Sequence, residues 1–207
     1  VFFFIALVIG LGAGAGVLIG QAWGARETHL VKAIAGATVL LGVLIGLVAA
    51  VVGSVFARSA LVGLGTPADV LDDAVAYAHV MLWIMPSLLV FVLFTQLLRG
   101  VSDTLSPLLA LVVSTMVGLA LTPALIQSAA IAGLVGNLVA MGLLAWRLLG
   151  KGHSLAPDRE FFAAMKLDMA ILGKVLRIGL PTGLQMVVLS LSELVILALV
   201  NQHGSQA

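Results

Sequence analysis

Continuously apolar stretches of bilayer-crossing length alternate with short polar connections along nearly the whole chain. They run Phe2–Trp23, Val31–Phe56, Ala74–Leu98, Leu105–Gln127, Ser128–Leu149 and Gly179–Val200. A helix rises about 1.5 Å per residue and the hydrocarbon core is about 30 Å thick, so about 20 apolar residues cross it. None of the stretches shows the alternation of apolar and polar residues that marks the strands of a membrane barrel. In lipid, a continuous apolar run must satisfy its own backbone, which a helix does. The expected fold class is therefore all-α integral membrane, a polytopic bundle of six transmembrane helices. No charge occurs from Thr104 to Trp146. That run is too long for one span, and two are predicted, turned near Thr122-Pro123 and Gln127-Ser128, with a re-entrant loop as the alternative.

Composition sharpens this picture. Mean hydropathy is +1.24. Hydrophobic residues make up 62% of the chain and charged residues 9%. A soluble domain carries about 25% charge to cover its surface, so the surface expected here faces lipid. The absence of cysteine excludes disulfides and thiolate metal sites. Lys and Arg do not cluster on a face that nucleic acid would need.

Charge does fix an orientation. The first connection holds Arg26 and Lys32, the third Arg99, and the fifth Arg147, Lys151, Arg159, Lys166, Lys174 and Arg177. Arg58 alone falls in the second connection, beside Asp69, Asp72 and Asp73, and the fourth has no basic residue. Basic loops stay cytoplasmic. Connections one, three and five are thus predicted inside and both chain ends outside, in the cell's inner (plasma) membrane. The chain starts at Val1 directly inside an apolar run, without a basic leader, so it is expected to be a piece of a longer protein and not to start with a signal peptide.

Small residues and prolines mark the spans. Gly12, Gly16, Gly20 and Gly24 stack on one face of the first, and Gly42 and Gly46 repeat the spacing in the second. Such faces bring helix backbones close together in lipid. Pro86 lies within the third span, where a kink is expected. Pro107 and Pro181 fall near predicted helix starts, where a missing N–H costs little. The fifth connection, Gly150 to Ile178, is the sizeable polar one. After Pro157-Asp158, the residues Phe161, Phe162, Met165, Met169 and Leu172 recur at helical spacing, which predicts one amphipathic helix on the cytoplasmic surface, its basic residues meeting lipid phosphates.

The candidate chemistry is sparse. Glu193 is the carboxylate set deep in an apolar span, where a charge costs roughly 2.5–3.5 kcal/mol and must face protein or water. Thr182, Gln185, Ser192 and Glu193 fall within about 100° of helix circumference, a polar stripe on an apolar helix. Burial raises a carboxyl pKa, so Glu193 is the candidate for proton or cation coupling, against a purely structural hydrogen bond. Asn137 is a further cleft-lining candidate, with an interhelical hydrogen bond as the simpler role. Arg99 and Asp103 flank a cytoplasmic turn, as a gate pair or as a turn cap. Tyr77 and Trp83 are expected to anchor the outer interface, with His79 beside them as a surface histidine. A metal site is not expected, and neither is an enzyme: there is no His-Glu-x-x-His, no cysteine and no close carboxylate pair.

Three motifs carry a resemblance. The first span ends Gly20-Gln21-Ala22-Trp23-Gly24-Ala25-Arg26. The third ends Leu98-Arg99-Gly100-Val101-Ser102-Asp103-Thr104, with Pro107 after it. The last begins Ile178-Gly179-Leu180-Pro181 and ends Gly204-Ser205-Gln206-Ala207. In this order the chain resembles helices two to seven of the multidrug and toxic compound extrusion (MATE) transporters, whose twelve helices form two lobes about a central cleft. The resemblance implies that residues 1–150 make most of the first lobe, 151–178 a cytoplasmic linker with an amphipathic helix, and 179–207 the first helix of the second lobe. It implies efflux of a small organic solute, cationic or neutral, by antiport against H+ or Na+ with alternating access. No cofactor beyond that ion is implied, and the partners are solute and membrane lipid, with the full-length protein a monomer. Two departures stand out. The family's longer Gly-rich connection between helices five and six is a tight turn here. The Asn and Asp of a cation site in one branch fall at Gly118 and Thr122. The family's own carboxylate in this last helix sits about one turn earlier, near Leu189. The alternatives are a lipid-linked saccharide flippase of the same superfamily and a non-transporting membrane assembly subunit. A flippase cleft is cationic, and no span interior here holds Lys or Arg.

Overall fold

The computed structural model describes residues 2–63, 70–121, 129–150 and 152–203, with side chains described over 8–63, 70–121, 133–150, 152–189 and 191–192. These residues form seven helices: α1 Phe2–Gly24, α2 Thr28–Gly63, α3 Leu71–Gly100, α4 Leu105–Leu121, α5 Ala129–Gly150, α6 Arg159–Ala164 and α7 Met169–His203. Within the described residues α2, α3, α5 and α7 are long and apolar enough to cross a membrane, and α1 and α4 contribute shorter apolar stretches. The predicted turn between the fourth and fifth spans lies outside the described residues.

Helix α3 is the hub. It packs on α1, α2, α4 and α5, while α1 lies between α3 and α7, and α4 pairs with α5. Leu89, Leu93, Leu97 and Leu98 of α3 are buried, as are Leu11, Ile19 and Val31 opposite them. The faces turned away are just as apolar. Val48, Val51, Val52, Val55 and Phe56 of α2 are exposed, and so are Leu108, Leu111, Met116 and Leu119 of α4. This is the surface of a bundle solvated by lipid.

Glycines set how close the helices come, on two faces of α1. A methyl group on Gly12 would lie 2.9 Å from the Gln96 side chain of α3, and one on Gly100 would lie 2.7 Å from the Gly16 carbonyl oxygen. The opposite face meets α7: Gly10 abuts Gly183, and a methyl on Gly14 would lie 2.7 Å from the Gly179 backbone nitrogen. The periodicity from Gly12 to Gly24 reads only the first face, and Gly24 itself has open space around it. In α2, Gly46 lets its backbone sit against Pro86 inside α3, where an added methyl would be 2.7 Å from the proline Cα.

The three helix ends at the predicted cytoplasmic side share one stop. Glu27 N–H bonds to Ala22 O and Arg26 N–H to Trp23 O; Asp103 and Ser102 do the same to Leu98 and Arg99, and His153 and Gly152 to Leu148 and Leu149. These are Schellman motifs, with the residue past the helix in left-handed conformation. Arg26, Ser102 and Gly152 hold φ of 61°, 63° and 58°.

The fifth connection differs from its expectation. No single amphipathic helix runs through it. Helix α6 ends at Ala164, and Met169 and Leu172 belong to α7, which starts ten residues before Gly179. Asp168 is the reason, since its Oδ1 accepts from Ala170 N–H at 2.9 Å and caps a new helix. The apolar positions do not share a lipid-facing stripe. Phe161 and Leu172 are buried, while Phe162 and Met169 are exposed. Pro181 accordingly lies well inside α7 and not in its first turn. Pro107 does sit at the start of α4.

Candidate functional site

Helix α7 positions the polar stripe. Its packed face is made by Leu172, Val175, Gly179 and Gly183, turned to α1. Thr182 lies at the edge of this face, half-buried, and Gln185 and Ser192 are exposed. The Thr182 hydroxyl donates to Ile178 O at 3.3 Å and the Ser192 hydroxyl to Val188 O at 2.9 Å. Each hydroxyl thus spends its proton on its own helix and turns lone pairs outward. Glu193 follows in the same helix, but its side chain lies outside the described residues.

Asn137 is not part of that stripe. It is buried on α5 and donates to the Ser87 hydroxyl of α3 at 3.1 Å. Ser87 in turn faces the Met141 sulfur at 4.0 Å. Helix α5 packs on α3 and α4 and makes no contact with α7 among the described residues. The hydrogen bond joins two helices of the bundle interior.

Arg99 and Asp103 are not paired with each other. Arg99 donates to Gln96 at 3.0 Å. Asp103 caps the start of α4, its carboxylate accepting from Ser106 N–H at 3.0 Å and from the Ser106 hydroxyl at 2.6 Å. Arg147, at the end of α5, donates to the same hydroxyl at 3.1 Å, and His153 Nε2 lies 3.9 Å from Asp103. Burial works to raise the Asp103 pKa, but the Ser106 hydroxyl and N–H outweigh it, with His153 and Arg147 adding to the effect, so the carboxyl titrates below its ordinary range. The cluster ties the third connection to the fifth. Sequence spacing could not place Arg147 and His153 there, because they come from a distant part of the chain.

A second tie was absent from the sequence reading. Lys32 Nζ lies 2.7 Å from Asp158 and 2.7 Å from Glu160, joining α2 to the start of α6. At the other end of the bundle Arg58 meets Asp72 at 3.0 Å, and His79 Nε2 lies 3.1 Å from Ser54 O. Tyr77 and Trp83 are exposed there, as an interfacial position requires.

Cavities open among these elements. A polar one of about 970 Å³ is lined by His29, Lys32, His153, Asp158, Glu160 and Lys166, among others. An apolar one of about 170 Å³ lies beneath α6, between Val39, Phe94, Met141, Leu144 and Phe161. Among the described residues no His, Cys, Asp and Glu side chains group as a metal site would require.

Solved structures share this fold. A MATE transporter in its straight conformation superposes with a TM-score of 0.83 over 97% of this chain and 46% of that one, at 23% identity. An outward-facing multidrug resistance MATE family transporter gives 0.80 over 93% and 44%, also at 23% identity. An inward-facing one gives 0.75 over 89% and 43%, at 24% identity. At these identities the likeness speaks for the fold. In sequence, the "Probable multidrug resistance protein YoeA" of Bacillus subtilis (strain 168) is 34% identical over all of this chain and 47% of its own length. The chain therefore spans about half the length of the curated relative it matches. The MatE family matches residues 1–124. With helices, spacing and sequence in agreement, the chain belongs to the MatE family of multi-pass membrane transporters.

Proposed function

We propose that this chain forms most of one wall of a transporter that expels small organic solutes, cationic or neutral, in exchange for H+ or Na+. The observation that carries this reading is the 34% identity to a probable multidrug resistance protein across the whole chain. The α7 stripe supports it. Gln185 and Ser192 face away from α1 and are exposed. With hydroxyl protons spent within the helix, Thr182 and Ser192 present acceptor atoms, which suit a cation or a protonated amine.

In this reading Glu193 binds a proton or sodium ion in competition with the solute. Protonation releases solute on one side, and reopening on the other releases the proton. A ligand shifts such an equilibrium only through its differential affinity for the two states, and a shared carboxylate supplies that difference. Asn137 then holds α5 to α3 and stays out of the exchange.

In the full-length transporter, Glu193→Gln keeps shape and removes titration. Gradient-driven efflux should be abolished, with folding and membrane insertion intact, and Glu193→Asp should keep part of the activity. Normal transport by Glu193→Gln across about pH 6 to 8 would make the residue structural.

A further inference from the structure

The link between α5 and α7 is held far more firmly at one end than at the other. After the α5 stop, Leu155 and Ala156 are buried. Asp158 then caps α6, accepting from Phe161 N–H at 2.8 Å, and the same carboxylate takes Lys32 of α2. Lys32 is 13% exposed and its second partner, Glu160, is 81% exposed, so Asp158 is the partner that matters. Phe161 is 2% exposed and meets Phe94 of α3 edge to face, with ring centroids 6.1 Å apart. Gly36 of α2 leaves room for the strap backbone, since a methyl there would lie 2.9 Å from the Ala164 carbonyl.

Met165 still packs on the core, its backbone nitrogen 3.0 Å from where a methyl on Gly36 would sit, and beyond it these anchors stop. Residues 165–168 are not helical, and Lys166, Leu167 and Asp168 are exposed. Two short backbone bonds fold them, Lys166 N–H to Ala164 O at 2.7 Å and Asp168 N–H to Lys166 O at 2.9 Å. Helix α7 then restarts on the Asp168 cap. It packs mainly on α1 and touches α2 only lightly.

We propose that residues 155–165 are a strap clamped to α2 by Lys32, and that α7 pivots on a short joint at residues 166–168. Lys32 is a positioning residue that decides where the pivot lies. This rests on the alternating-access reading above, because α7 needs a pivot only if it moves. The anchored strap makes the motion a rotation about residues 166–168. A free linker of the length suggested by its polar composition would leave the position of α7 to its glycine contacts with α1 alone.

Spin-label pairs in the full-length transporter in liposomes test this. His29→Cys with Ala163→Cys reports strap against α2, and Ala163→Cys with Lys174→Cys reports strap against α7. All three positions are exposed. Between about pH 6 and 8, a range that spans ordinary proton-coupled titration, the first pair should keep one narrow distance and the second should shift. Lys32→Met should broaden the first pair and lower efflux several-fold. Lys32→Arg, which keeps the charge and leaves the Asp158 cap of α6 in place, should retain both the narrow distance and the efflux. A first pair that moves with transport, or that stays narrow in Lys32→Met, overturns the clamp. Invariance of both pairs in a transporting protein overturns the joint. If the protein does not transport at all, the proposed function falls, while a first pair broadened by Lys32→Met still upholds the clamp.

Discussion

Ser102 stands where the chain needs left-handed backbone, with φ at 63° after α3. A side chain there crowds the following carbonyl, and glycine avoids the clash. The neighbouring Gly100 answers a different demand, the close approach of α1. Ser102→Gly should therefore stabilise the protein by about 1 kcal/mol, and Ser102→Val should destabilise it. Thermal unfolding in detergent reads both, and a lower midpoint for Ser102→Gly would refute the strain. Asp103 was legible as a turn cap or a gate from its place beside the helix end. Its choice of Ser106 over Arg99 follows from the turn itself, which puts Ser106 N–H within reach.

At the scale of elements, the spans were readable because a helix in lipid must be apolar along its whole length. The contacts between them were not. Gly10 and Gly14 meet Gly179 and Gly183 across α1 and α7, residues about 170 positions apart whose pairing no local pattern specifies. Gly14→Leu should push the two helices apart and cost about 1–3 kcal/mol, the usual range for overpacking. Gly24→Ala, with open space around it, serves as the control and should leave stability unchanged. Denaturant or thermal unfolding of the two variants checks this, and equal midpoints would mean that α1 and α7 do not touch as described. The fifth connection misled for a related reason. Its apolar residues have one helical period, but the Asp168 cap divides them between α6 and α7.

For the whole molecule, the ends that carry connections one, three and five lie together. Lys32 reaches Asp158, and Arg147 reaches Ser106. This agrees with an alternating helical order and with one basic side. Single cysteines at Ala68 and Gln206, both outside the described residues, should label from outside intact cells. One at His153, which lines the polar cavity among the basic connections, should be protected until the membrane is permeabilised. The reverse pattern would invert the topology.

The sequence by itself determined the medium and the helices, and it predicts the side of the membrane. Each of these depends on local sums, of hydropathy along a span or of charge within a connection, and such sums need no partner. Its motif spacing also carried the family, through short turns whose backbone demands are local. Tertiary structure alone decided which polar groups meet. It set Asn137 on Ser87 and not beside Thr182, Phe161 in the core and not in lipid, and Lys32 on a strap more than a hundred residues away. Those pairings are set by the directions in which packed helices point their side chains, and a one-dimensional pattern does not contain them.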